Sequence, residues 1–150
     1  KVDSDRALYK LIFLTRHEKG LRLFRDAQAT ALTVQSDQRS RVKAARRAEK
    51  TGQHDMFIAA GLPDPSERSA QLLLRDRAKA IEAALENIDD APANGILWKM
   101  LWATILDDHV ITYRDLSRAV SDWHKAGRVT IRGLSGKARA PKDDHYISRS

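Results

Sequence analysis

The stretch Tyr113-Arg114-Asp115-Leu116-Ser117-Arg118-Ala119-Val120-Ser121-Asp122-Trp123-His124-Lys125-Ala126-Gly127-Arg128-Val129-Thr130-Ile131-Arg132 changes its apolar period in mid-course, and that change decides the fold. Up to Ala126, Leu116, Ala119, Val120 and Trp123 recur at threes and fours, the spacing of an amphipathic helix. Gly127 is the expected C-terminal cap, since glycine tolerates the left-handed backbone that ends many helices. Beyond it the period drops to two: Val129 and Ile131 alternate with Arg128, Thr130 and Arg132, as in a half-buried strand. Gly133 to Lys142 reads as a flexible basic loop, and His145 to Ser148 as the antiparallel return strand.

Moving towards the N-terminus, the same logic yields two earlier helices. Asp64 can cap, Pro65 suits a first turn and Glu67 lies three residues after the cap, so a helix is expected to begin there. Leu74, Ala78, Ile81, Leu85 and Ile88 form its expected core stripe, up to the stop signal Asp89 to Gly95. The next helix, about Ile96 to Leu106, carries Leu97, Met100, Leu101, Thr104 and Ile105 on one side, with Trp98 and Trp102 beside them as core fillers. Helix, helix, helix, strand, loop, strand is the order of a winged helix-turn-helix. The expected class is therefore α+β, mostly α: a winged helix-turn-helix over residues 64–150, preceded by a strand-helix fragment of an α/β domain.

That fragment is read over residues 1–33. Leu8 to Thr15 is a short apolar run rich in β-formers, and Lys19 to Leu32 an amphipathic helix. Residues 34–63 are expected to form a basic linker: between Ser36 and Lys50 there are six basic and two acidic residues with almost nothing to bury, which fits a solvated helix or a disordered connection. The chain opens at Lys1 and its first apolar run looks like an interior strand, so a piece of a longer protein is expected. An unpaired apolar strand is an aggregation hazard, which makes a homodimer formed through it an expectation as well.

Composition narrows the chemistry. With 150 residues, of which 42% are hydrophobic, the chain can bury one sizeable core. Cysteine is absent, which removes disulfides, thiolate nucleophiles and iron-sulfur clusters. No run is long and apolar enough to span a membrane, and no secretory signal pattern opens the chain, so a cytoplasmic protein without membrane contact is expected. Lys and Arg number 27 against 20 Asp and Glu, a net charge of +7 that favours a polyanionic partner.

The excess is not spread evenly. From Arg114 to Ser150 there are nine basic and four acidic residues, which account for five of the seven net charges. Projected at about 100° per residue, the helix that hides Leu116 and Trp123 turns Arg114, Arg118, Ser121 and Lys125 to the opposite side. Three cations and one small polar residue suit a recognition helix in a DNA major groove, where Arg and Lys reach phosphates or guanine edges. Arg132, Lys137, Arg139 and Lys142 on the expected wing would hold adjacent phosphates. The competing expectation is an interaction module in which the winged helix pairs with another chain and the basic ridge only solvates it.

The run Tyr9-Lys10-Leu11-Ile12-Phe13-Leu14-Thr15-Arg16-His17-Glu18-Lys19-Gly20-Leu21-Arg22-Leu23-Phe24-Arg25-Asp26-Ala27 resembles the closing strand and helix of the three-Cys-motif partner protein family. Asp115 to Val120, Trp123 and Gly127 to Ile131 are similar to that family's third helix and first wing strand. The resemblance covers about two-thirds of the chain. It implies a methyltransferase-like domain upstream, a prokaryotic or phage-related setting and a partner encoded by a neighbouring gene. No catalytic residue is carried over, because the region that would hold a cofactor loop is missing.

Three smaller features carry both a functional and a plainer explanation. Gln53, Met56 and Phe57 have the spacing of peptides that dock on bacterial sliding clamps, although a connecting segment tucked onto the core is the favoured explanation. Asp107-Asp108-His109 and Asp143-Asp144-His145 have metal-capable side chains, but turn chemistry at element ends explains both, and no metal or other cofactor is expected. His17 beside Glu18 follows the expected strand end, where α/β sheets place ligands. No phosphate-binding loop, dinucleotide fingerprint or nucleophile elbow occurs, so catalysis by this chain is not expected.

Overall fold

The computed structural model describes residue 15 and residues 17–51, 68–134 and 140–150. Helix α1 (Glu18–Thr51) is followed by α2 (Arg68–Asp89), strand β1 (Ile96–Leu97), α3 (Trp98–Asp108), α4 (Tyr113–Lys125), β2 (Val129–Arg132) and β3 (Tyr146–Arg149). The protein is mostly helical α+β, with a small antiparallel sheet in the order β1-β3-β2. The expected strand over residues 8–15 falls almost wholly outside the described residues, as does the helix start near Asp64.

The period change at Gly127 has its structural counterpart. Gly127 has φ 70°, its N–H donates to the His124 carbonyl at 3.1 Å, and the Arg128 N–H donates to the Trp123 carbonyl at 2.9 Å. These two bonds satisfy carbonyls that the end of α4 leaves without partners. Strand β2 then buries Val129 and Ile131 and exposes Thr130 and Arg132, in antiparallel register with β3 from Val129–Arg149 to Arg132–Tyr146.

Strand β1 replaces the expected helical start at Ile96. Ile96 pairs with Ile147 and Leu97 with Tyr146. The close approach depends on Gly95, at φ 78°, where an added Cβ would lie 2.4 Å from the Ile147 carbonyl oxygen. Helix α3 starts directly afterwards, its Trp98 N–H donating to the His145 carbonyl at 2.8 Å.

The core lies between the helices and this sheet. Trp98, Leu101, Trp102, Ile105 and Leu106 fill it from α3, and Ile147 closes it from β3. Each such side chain contributes about 1.5–3 kcal/mol relative to exposure. Met100 and Thr104, expected on the core side of α3, face outwards instead. The larger indoles set that helix's orientation, and both tryptophans are buried as expected.

Helix α2 is turned in a similar way. Its buried residues are Ala80, Ala84 and Ile88, whereas Leu74, expected in the stripe, is 65% exposed and Ala78 is also exposed. Small side chains at 80 and 84 let neighbouring helices approach, a packing advantage that side-chain size alone does not reveal.

Helix α1 does not stop at Leu32. It runs without interruption to Thr51, so the expected boundary between residues 33 and 34 falls in mid-helix, and residues 36–50 are helical. Leu21 packs against the core and Ala29 is buried, so the first half of α1 belongs to the same packed unit as α2 and α3. Among the described residues no helix is long and apolar enough to cross a membrane.

Candidate nucleic-acid interface

The position of α4 is set by the turn that precedes it. Thr112 is the N-cap, and its side chain accepts the Asp115 N–H at 3.0 Å. Asp76 of α2 reaches the turn, where its carboxylate accepts the Val110 N–H at 2.6 Å. From α1, the Arg25 guanidinium donates to the carbonyls of Leu106 and Asp107, which satisfies the C-terminal end of α3 and places a cation where the helix dipole favours one. Burial lowers the Arg25 pKa, opposed by Asp107, Asp76 and Asp108, yet an arginine remains protonated at any relevant pH.

The first residue of α4 anchors it sideways. The Tyr113 hydroxyl accepts the Trp98 indole N–H at 2.9 Å, and its ring meets those of Trp98 and Trp102 edge-on, with centroids 5.8 and 5.5 Å away. Arg22 of α1 lies over the same ring at 3.8 Å, a cation–π contact. Three elements thus hold the start of α4.

Its orientation differs from the expected one. The buried residues are Leu116, Ser117, Val120 and Ser121, while Ala119 and Trp123 are only half-buried. Relative to the expected arc, the core-facing centre is rotated by about 80° on a helical projection. Ser121 therefore leaves the candidate ridge: it is 7% exposed, and its hydroxyl donates to the Ser117 carbonyl at 2.7 Å. That bond lets a serine sit in the core without an unmet polar group.

The open face of α4 now carries Arg114, Arg118, Asp122 and Lys125. Lys125 pairs with Asp122 at 2.8 Å, and Asp115 pairs with Arg77 of α2 at 3.2 Å. Arg114 and Arg118 have no ion pair or hydrogen bond among the described residues, and a full turn of helix separates them on one exposed line.

The hairpin supplies fewer free cations than expected. Arg132 is exposed but donates to the Ala93 carbonyl at 3.0 Å, which ties it to the loop before β1. Lys142 is exposed, at the start of a turn in which its N–H donates to His145 Nδ1 at 3.2 Å and its carbonyl accepts the His145 N–H. Lys137 and Arg139 lie outside the described residues, as do Gln53, Met56 and Phe57. Arg128, outside the expected set of DNA contacts, is exposed directly between α4 and β2, and its side chain has no partner among the described residues. The signal was its place after the capping glycine, where the chain emerges from the helix.

The other marked residues do structural work. His109 ends α3, its N–H donating to the Ile105 carbonyl, and Asp143 accepts the Trp102 indole N–H at 3.0 Å. Among the described residues no group of three or more His, Cys, Asp or Glu side chains is placed to hold a metal ion. His17 is exposed beside Glu18 at 3.7 Å. No protein-family model, curated protein or solved structure matches the chain. The resemblance to the three-Cys-motif partner proteins therefore rests on the residues quoted for it.

Proposed function

We propose that α2, β1, α3, α4, β2 and β3 form a winged helix-turn-helix that binds duplex DNA, with α4 as recognition helix and the β2–β3 hairpin as wing. The element order and the β1-β3-β2 sheet are compatible with that architecture and support the reading. The observation that carries the DNA reading is the unpaired couple Arg114 and Arg118 on the exposed face of a helix braced by three other elements. A rigid helix with two free guanidinium groups a turn apart can offer bidentate contacts to guanine edges or phosphates. Arg128 and Lys142 flank it as phosphate contacts, whereas Lys125, neutralised by Asp122, and Arg132, held by Ala93, contribute less.

The test is a mobility shift with random-sequence duplex. Arg118→Glu is expected to weaken binding at least about tenfold, and Arg114→Glu comparably. Arg75→Glu, at an exposed position on another helix, α2, should change it little. Absence of binding by the wild-type chain, or equal binding by all three variants, would overturn the assignment.

A further inference from the structure

The solvent side of α1 is unusual for a surface helix in a chain with 31% charged residues. Leu23, Ala27, Thr30, Val34, Gln38, Arg41 and Ala45 are all exposed and follow one another at spacings of four and three along a single face. Leu23 is 71% and Val34 53% exposed. Arg41 is the one charge in the set. The arrangement is also symmetric about its centre: Ala27 and Arg41, Thr30 and Gln38, and Leu23 and Ala45 each lie equally far from Val34 in sequence.

We propose that this face pairs with the same face of a second copy of the chain, the two α1 helices antiparallel and related by a twofold axis at Val34. Such an isologous contact sets each residue against its mirror position. Val34 then meets its own copy, Leu23 lies on Ala45, and Arg41 lies on Ala27 of the other chain, so that large side chains fall on small ones. Charge complements the fit. Arg41 has no partner among the described residues, and neither has the carboxylate of Asp26, the residue beside Ala27. The antiparallel register brings these two together twice. A parallel pair would instead align the basic stretches between Arg39 and Lys50 side by side.

The repeat from Leu23 through Val34 to Ala45 is eleven residues, which keeps a helical seam nearly straight over its length. At 1.5 Å per residue the seam is about 33 Å long. Beside Val34 the apolar surface continues across a groove of about 400 Å³ to Leu73 and Leu74. A single helix pair with this fringe buries on the order of 1,000 Å² in total, at the lower end of specific interfaces. The dimer is thus a weak one that dissociates on dilution. It requires no DNA contact, and its test contains no nucleic acid, so failure of one assignment leaves the other standing.

Sedimentation velocity of the full chain, raised from about 1 to 500 µM, is expected to show a shift from the 16.9 kDa monomer towards twice that mass. Val34→Asp sets two carboxylates together at the axis and should abolish the shift with helicity unchanged by circular dichroism. Arg41→Asp should weaken association about tenfold, and Asp26→Arg added to it should restore it. Because the chain has no cysteine, engineered thiols report the register. Val34→Cys alone should cross-link on oxidation, and Leu23→Cys alone should not, since its own copy lies about 33 Å away, beyond disulfide reach. Leu23→Cys combined with Ala45→Cys should cross-link. A monomer throughout the concentration range, a dimer indifferent to Val34→Asp, or cross-linking by Leu23→Cys alone would overturn the proposal.

Discussion

Single residues in this protein act mainly by meeting, or failing to meet, backbone and side-chain polar groups. Arg25 is the clearest case, because one guanidinium closes the end of α3 and so steadies the turn into α4. Hydrogen bonds from a charged group contribute about 1.5–3 kcal/mol. Arg25→Ala is therefore expected to cost about 2 kcal/mol, seen as a fall in Tm of about 4–8 °C for a chain of this length. Ser36 is the opposite case. It is 2% exposed in α1 and its hydroxyl has no partner among the described residues. Ser36→Ala removes an unmet polar group and improves helix propensity, so thermal denaturation should show a gain of about 1 kcal/mol.

Between elements, the α1–α3 tie has a pH dependence of defined sign. The Glu18 carboxylate is held below the usual glutamate range chiefly by its bond to Lys99, 3.1 Å away. A lowered pKa in the folded state means a stabilising contribution that is present above the unfolded value, near 4.3, and lost as pH falls through the folded one. Lys99→Met should lower Tm slightly at pH 7, and the difference from wild type should close towards about pH 3. Both are exposed groups, so the effect is small and salt-sensitive. Element orientation, by contrast, was only partly legible from pattern. In α2 and α4 the strong apolar periodicity located each helix, but neighbours chose which flank of the stripe to bury. Ala80 and Ala84 won over Leu74 because close approach rewards small side chains, while in α4 Ser117 and Ser121 are buried more deeply than Ala119 and Trp123, the Ser121 hydroxyl being met by its own helix's backbone.

At the scale of the whole molecule, charge is divided between two faces. One is the ridge of Arg114 and Arg118 with Arg128 and Lys142 at its edges, and the other is the basic second half of α1. If the ridge holds DNA, the slope of log affinity against log salt should lie between about −3.5 and −5.5, corresponding to about four to six phosphates. A slope near zero in a filter-binding titration would count against it. The outer face of α1, with Arg41 as its one charge, offers a second, separate surface, and pairing through it would present two ridges on one particle.

The order of the three later helices and the final two strands, the period change at Gly127 and the concentration of charge towards the C-terminus were written in the sequence, because each is read from the sequence without knowledge of which distant segments meet. Period and capping are local physics, and summed charge needs no geometry. What only the tertiary structure decided was which cations remain free. Ser121 went into the core, Lys125 and Arg132 found partners, and Arg128 was left exposed. It also decided that the charge run after Ser36 continues a helix, and that Ile96 and Leu97 join a sheet completed some fifty residues later. Those outcomes turn on contacts between distant segments, where packing and hydrogen bonding outweigh the preference of any short stretch.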